Sequence, residues 1–193
     1  MNNAIAGSSK TLAIQALAHG TVALLLVFLV ADVNARATGG AALYLGAAWA
    51  FLTGLGLSHI IHEWCHFLGA LGAGATLTLK SRPHPLFFDF DYNLNTPGQF
   101  LSMSLAGLSG NVMLLCAIVF LAQPPTLVTT SLLAAVAGQL VFVVLLELPV
   151  SLGVLAGLDP LQSLTKHFGQ GGPLFLRAGV GGVATATLVF LLS

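Results

Sequence analysis

Five long apolar segments, separated by short loops, take up most of this sequence and decide what it can fold into. Each has roughly the 20 residues that an α-helix needs to cross the hydrocarbon core of a bilayer. The chain is 56% hydrophobic and only 6% charged, with a mean hydropathy of +0.95, so it lacks the charge that covers a water-soluble domain. We predict a single transmembrane domain over residues 1–193, with spans at 12–33, 41–73, 100–121, 127–158 and 174–192.

The segment between the second and third spans has a different pattern. Thr76 to Lys80 alternates with period two, Phe87 to Tyr92 does so loosely, and Pro83 and Pro85 break the chain between them. Such alternation is typical of short strands, which in a membrane must be covered by protein or lie in the interface. The predicted fold class is therefore an all-α polytopic membrane protein with about five transmembrane helices and a short membrane-associated β-hairpin after the second.

The placement of lysine and arginine predicts the orientation of the chain. If the N-terminus is cytoplasmic, the cytoplasmic side receives five of the six basic residues: Lys10, Lys80, Arg82, Lys166 and Arg177. Only Arg36 is then outside, as the positive-inside rule favours. Because six basic and six acidic residues cancel, a nucleic-acid partner is not expected, and the lipid bilayer is the main surrounding.

The most informative motif is H-E-x-x-H at residues 62–66, inside the second span. On a helix, His62 and His66 are one turn apart and can bind one metal ion, while Glu63 lies about 100° round from His62. Ionisable residues are costly in lipid and usually mark function there. The plain alternative, polar residues that only hydrogen-bond between helices, is less favoured in so uncharged a chain. His59, one turn earlier, is an extra ligand, a supporting residue or a simple polar contact.

A zinc site with two histidines needs a third protein ligand and keeps one position for water. The chain has six carboxylates: Asp32, Glu63, Asp89, Asp91, Glu147 and Asp159. Asp32 lies at the far end of the first span, and Asp89 and Asp91 lie in the loop. That leaves Glu147 inside the fourth span and Asp159 at its end. Asp159 is favoured because it ends the fourth span on the side of the histidines, whereas Glu147 lies about 18 Å farther along a continuous helix. Glu147 stays open as the alternative because Pro149 could shorten that separation.

Other polar and small residues in the spans are predicted to serve packing. Gln15 and His19, one turn apart in the first span, are expected to hydrogen-bond to a neighbouring helix. Small residues that should let helices approach closely are Gly54, Gly56, Gly107 and Gly110.

Taken in order, these motifs resemble the site-2 protease family of intramembrane zinc metalloproteases. That family carries H-E-x-x-H, then an A-G-P-x-x-N-like segment, then N-x-x-P followed by L-D-G, whose Asp is the third zinc ligand. The similar segments here are residues 62–66, 106–111, 147–149 and 158–160, within about 41–165 of the chain, and the strands at 76–92 resemble the family's hairpin. The chain departs from the pattern at Leu108, where the family has Pro, at Glu147, where it has Asn, and at Pro160, where it has Gly.

The resemblance implies an intramembrane zinc-dependent endopeptidase that hydrolyses a peptide bond in or near a transmembrane helix of a membrane-protein substrate. It implies Zn²⁺ bound by His62, His66 and Asp159. Glu63 would take a proton from the attacking water, and Asn111 would position the substrate backbone or donate to the oxyanion. The strand at 76–80 could hold an unwound substrate segment by strand addition. Together with the small size, the resemblance also implies a prokaryotic inner membrane.

Two other functions stay open. A non-proteolytic relative would keep the fold and act as a structural or assembly subunit with partner membrane subunits, and the altered third motif favours this reading. Haem ligation by His59, His62 or His66 is less favoured, because paired haem ligands must face each other from separate positions. Glu63 would then have no role.

Overall fold

The computed structural model describes residues 5–6, 9–36, 39–121 and 125–192, which contain six helices and three short strands. The helices are α1 (Ser9–Arg36), α2 (Gly40–Gly72), α3 (Pro97–Leu121), α4 (Leu127–Leu155), α5 (Pro160–Phe168) and α6 (Gly172–Leu192). The strands are β1 (Ile5–Ala6), β2 (Leu77–Leu79) and β3 (Phe88–Phe90). All helices except α5 are long and apolar enough to cross a membrane. The predicted fold class is confirmed, and the chain is an integral membrane protein.

The five spans begin and end within three residues of the predicted bounds. Helix α4 stops at Leu155, three residues before the predicted end of the fourth span. Residues 160–168 then form a separate short helix, α5. The sequence did not predict α5. Its start is nevertheless well marked, since Asp159 caps the helix and Pro160 occupies its first position.

The helices are arranged so that their large apolar side chains point outward. Leu24, Phe28, Phe120 and Leu191 are all strongly exposed, as suits side chains that face lipid. The centre of the bundle is α4, which packs against α2, α3 and α6, whereas α1 contacts mainly α2. Glycines and alanines line many of these contacts, so the helices can approach each other closely.

Glycines bring the helix backbones close together, as predicted. A Cβ added at Gly54 on α2 would lie 2.7 Å from the Cβ of Ala135 on α4. One added at Gly110 on α3 would lie 2.5 Å from the Sγ of Cys65 on α2. Neither position has room for a side chain, so these two glycines set the spacing of α2 against α4 and α3.

The predicted hairpin is present and has one more strand than expected. Strand β2 pairs antiparallel with β3, with Thr78 opposite Asp89. Strand β1 pairs parallel with the other edge of β2, with Ile5 opposite Leu77. Because β2 is the central strand, a substrate segment could add to it only after β1 had left, which changes the predicted role of this strand.

Gln15 on α1 fixes the loop that joins β2 to β3. Its side chain is fully buried, and its Nε2 donates to the carbonyl oxygens of Lys80 at 2.8 Å and Arg82 at 2.7 Å. Its Oε1 accepts a hydrogen bond of 3.2 Å from the backbone N–H of His84. The expected partner was a neighbouring helix, and the actual partner is the hairpin loop.

His19, one turn after Gln15, joins the same loop to α2. Its Nδ1 accepts a 3.0 Å hydrogen bond from the indole Nε1 of Trp64, so its Nε2 is free to donate to the carbonyl oxygen of His84 at 3.1 Å. The bond to Trp64 is the predicted contact between helices. Together Gln15 and His19 hold the hairpin against the end of the bundle where α2 stops.

Candidate metal centre

Two histidines of α2 and one glutamate of α4 meet inside the bundle. The Nε2 of His62 lies 2.8 Å from the Nε2 of His66 and 2.8 Å from the Oε1 of Glu147. The Nε2 of His66 lies 3.4 Å from the Oε2 of Glu147. Among the described residues, no other three His, Cys, Asp or Glu side chains converge in this way. We refer to His62, His66 and Glu147 as the triad.

Glu147 reaches the histidines because the two helices place them at similar depths. His66 lies six residues before the end of α2 at Gly72, which is about 9 Å along the helix axis. Glu147 lies eight residues before the end of α4 at Leu155, which is about 12 Å. The predicted fourth span ran to residue 158, three residues beyond Leu155, and Glu147 was measured from Asp159 as if one continuous helix joined them, so the separation was overestimated.

Asp159, the predicted third ligand, is used elsewhere. Its Oδ1 accepts hydrogen bonds from the backbone N–H groups of Leu161 at 2.9 Å and Gln162 at 3.3 Å, so it is the N-cap of α5. It does not belong to the triad. The signal was present in the sequence, because Asp followed by Pro is a typical helix start. Glu147, the alternative, is the carboxylate that the structure brings to the histidines.

His66 is oriented by α3. Its Nδ1 lies 2.8 Å from the carbonyl oxygen of Met103, and because a carbonyl can only accept, this nitrogen carries the proton. The Nε2 lone pair therefore points into the triad, which is the tautomer of a metal ligand. Gly107 makes room for the ring, since an added Cβ would lie 2.6 Å from both ring nitrogens. The sequence assigned Gly107 only to helix packing.

Asn111 stands behind His62. It is fully buried, its Nδ2 lies 3.3 Å from the Nδ1 of His62, and its Oδ1 has no hydrogen-bond partner among the described residues. With the amide turned over, Oδ1 would accept the Nδ1 proton of His62 and leave its Nε2 free for a metal. Asn111 is thus a positioning residue for His62, and its predicted role toward the substrate oxyanion stays a prediction.

Glu63 and His59 lie beside the triad and not in it. The Oε1 of Glu63 is 3.9 Å from the Nδ1 of His59, one turn before it. The carboxylate of Glu63 is largely buried, whereas His59 is considerably more exposed. His59 is therefore a neighbour of Glu63 and not a fourth member of the triad.

The donor set of the triad fits zinc. Two imidazoles and one glutamate are the protein ligands of several catalytic zinc sites, which keep a further position for water. A zinc–nitrogen bond of about 2.0–2.1 Å with tetrahedral angles separates ligand atoms by about 3.3 Å, close to the 2.8 and 3.4 Å measured here. The Oε2 of Glu147 is buried and has no hydrogen-bond partner among the described residues, so it is free to bind a cation.

A cavity of about 170 Å³ opens beside the triad, and Tyr92 lines it together with His66 and Glu147. Burial raises the pKa of the Tyr92 hydroxyl, and the negative charge of Glu147 raises it further. Since the ordinary tyrosine pKa is already about 10, the hydroxyl stays protonated at neutral pH. Tyr92 therefore offers a hydrogen-bond donor near the triad.

Fold and triad together define the class of this protein: an integral membrane protein whose described residues form five apolar spans around a partly buried His–His–Glu site. Comparisons with protein-family models, curated proteins and solved structures find no match for the chain. The resemblance to site-2 proteases therefore depends on the sequence motifs alone.

Proposed function

We propose that this protein is an intramembrane zinc-dependent endopeptidase whose Zn²⁺ is held by His62, His66 and Glu147. The observation that carries the proposal is the triad itself, which lies partly buried between two helices long and apolar enough to span a membrane. It comes with the partners that a metal site needs, because Met103 and Asn111 contact the outer nitrogens of the two imidazoles. Glu147 takes the place that the resemblance had given to Asp159.

Zinc suits this site better than iron does. Two histidines and one carboxylate also bind ferrous iron in oxygenases, so the ligands alone do not choose the metal. Glu63 supports hydrolysis, since a carboxylate next to the first histidine is the general base of H-E-x-x-H peptidases. When bound, Zn²⁺ polarises the scissile carbonyl and lowers the pKa of water toward about 7.

Glu63 is the proton carrier of the proposed reaction. Its carboxylate accepts one proton from the attacking water while the water oxygen forms a bond to the carbonyl carbon of the substrate. As the carbon–nitrogen bond breaks, Glu63 gives that proton to the leaving amine nitrogen, so that the products are a carboxylic acid and an amine. The bonds from His66 to Met103 and from His62 to Asn111 keep the imidazoles in place throughout.

The proposed substrate is a transmembrane helix of another membrane protein, because the triad lies inside the bundle and not on a soluble domain. The carbonyl groups of such a helix are occupied by its own hydrogen bonds, so a segment must unwind before it can be cut. The bilayer is thus the medium from which the substrate arrives.

The proposed orientation has a cytoplasmic N-terminus in a prokaryotic inner membrane. The start of α1, the hairpin and α5 are at the same end of the bundle, and this end carries most of the basic residues: Lys10, Lys80, Arg82 and Lys166. Basic residues collect on the cytoplasmic side of membrane proteins, which supports this orientation. The triad would then open toward the cytoplasm.

A cleavage assay tests the function. Detergent-purified, zinc-loaded protein is incubated with a library of apolar peptides of about 20 residues that contain helix-breaking Gly, Asn or Pro, and products are identified by mass spectrometry. Cleavage by the native chain should fall by at least about 100-fold in Glu63→Gln, because a general base contributes about that factor or more. Asp89→Asn, the same change on the exposed hairpin, should cleave normally.

The alternative, a non-proteolytic assembly subunit, predicts a different result in the same assay. A native chain that binds zinc and cuts no peptide would favour that alternative over the peptidase. Equal cleavage by native protein and Glu63→Gln would instead show that the activity comes from a contaminant.

A further inference from the structure

The cavity beside the triad has a polar end and apolar walls. His66, Glu147 and Tyr92 form the polar end. The walls are the buried side chains of Phe100 and Met103 on α3 and Val150 on α4, together with residues of α5. A molecule that places an apolar group between these walls therefore has its other atoms close to the triad.

The walls offer few free hydrogen-bonding groups. The hydroxyl of Ser104, which also lines the cavity, lies 2.8 Å from the hydroxyl of Ser151, so these two groups satisfy each other. An apolar cavity of about 150 Å³ holds one benzene molecule, which sets the scale of group that such a volume fits. A cavity of about 170 Å³ with such walls accordingly matches a single isobutyl or benzyl group.

Resting on the proposed function, we propose that this cavity is the pocket for one apolar side chain, the size of leucine or phenylalanine, on the substrate residue next to the scissile bond. The geometry points to this use because the cavity and the triad share His66 and Glu147. A side chain seated between Phe100, Met103 and Val150 holds its own backbone at the polar end. The cavity thus selects which bond of the unwound helix is presented for hydrolysis.

The outer part of the wall lies on α5. Leu164 and Phe168 line the cavity from this short helix, which is tied to α4 by a 2.8 Å hydrogen bond from the Ser163 hydroxyl to the carbonyl oxygen of Val150. Asp159 caps the start of the same helix. The helix that the sequence did not predict therefore completes the pocket.

The test measures binding without metal and without turnover. Protein with ¹³C-labelled methionine methyl groups is titrated with N-acetyl-leucine methylamide and with N-acetyl-glycine methylamide, which have the same backbone. Met103 lines the cavity, whereas Met113 is exposed on the lipid-facing side of α3 and reports probe that has merely entered the detergent. We expect the Met103 signal to respond to the leucine probe at a concentration at least about 10-fold lower than to the glycine probe.

Two variants check the site of binding. Val150→Phe should fill the cavity and abolish the Met103 response, while Val112→Phe, which adds the same bulk at an exposed position of α3, should not. Should Val150→Phe fail to fold, Phe168→Ala enlarges the cavity and should shift the preference toward a tryptophan probe. Equal responses to the leucine and glycine probes, or a Met103 methyl that contacts water and ignores both, would overturn the proposal.

The binding result and the cleavage result separate the two proposals. Selective binding of the leucine probe without any peptide cleavage would support the pocket and contradict the peptidase. Cleavage that shows no preference for an apolar residue beside the cut would support the peptidase and contradict the pocket.

Discussion

At the scale of single residues, the triad depends on how each imidazole is held. His66 donates from Nδ1 to a main-chain carbonyl, which fixes both its ring and its tautomer. His62 is nearly buried and backed by Asn111. Two histidines with spacing i, i+4 occur in many helices. What distinguishes this pair is that α3 supplies a partner for the far nitrogen of each ring.

A substitution at Gly107 tests whether this glycine makes room for the imidazole of His66. In Gly107→Ala the new Cβ would lie 2.6 Å from both ring nitrogens of His66, so the imidazole must leave its position beside His62 and Glu147. We expect bound zinc to fall well below one per chain while the helices stay folded. Gly179→Ala is the matched control, because a Cβ at Gly179 meets nothing within 4 Å. Equal zinc content in the two variants, measured by mass spectrometry of the metal, would contradict the assigned role of Gly107.

The pair His62 and His66 could be found from the sequence because a single helix fixes their relation. Glu147 could not be chosen with the same certainty, since its distance from the histidines depends on where two separate helices end and how they pack. Gly107 was noticed only as a small residue. Its closeness to an imidazole depends on the rotation of α3 against α2, which no spacing along the chain reveals.

At the scale of elements, the length of each apolar run was enough to predict the five spans, because a helix must cover the thickness of the bilayer. The hairpin was predictable from its period of two. Helix α5 was missed because nine residues with few apolar side chains give no such signal. Strand β1 was also missed, since two residues cannot show a period.

The contact between α1 and the hairpin loop can be tested through Gln15. In Gln15→Leu the carbonyl oxygens of Lys80 and Arg82 and the N–H of His84 lose their buried partner, and because these bonds are only partly buried the cost is about 1–2 kcal/mol. We expect trypsin to cut after Lys80 about 5- to 30-fold faster, as a local loss of one to two kcal/mol implies. The control is Gln139→Leu, on the face of α4 toward α6, which trypsin should cut at the native rate. Equal cleavage rates for the two variants would contradict the contact between Gln15 and the loop.

At the scale of the whole molecule, the triad brings together residues 81 to 85 positions apart on two different spans, in a chain that is only 6% charged. Burying three ionisable side chains in a membrane protein is costly unless they bind something or one another. The bundle meets this cost with helices that approach closely through glycine and with polar partners from α3. This arrangement supports the proposed metal site.

Glu147, and not Asp159, completes the proposed metal site. The most direct measurement is the zinc content of purified native protein and of the variants His66→Ala, Glu147→Ala and Asp159→Ala. We expect about one zinc per chain in the native protein, its loss in the first two variants and its retention in Asp159→Ala, which should only lose about 1 kcal/mol of stability with the cap of α5. Zinc lost in Asp159→Ala and kept in Glu147→Ala, or no zinc in the native protein, would contradict the assignment of Glu147 as the third ligand.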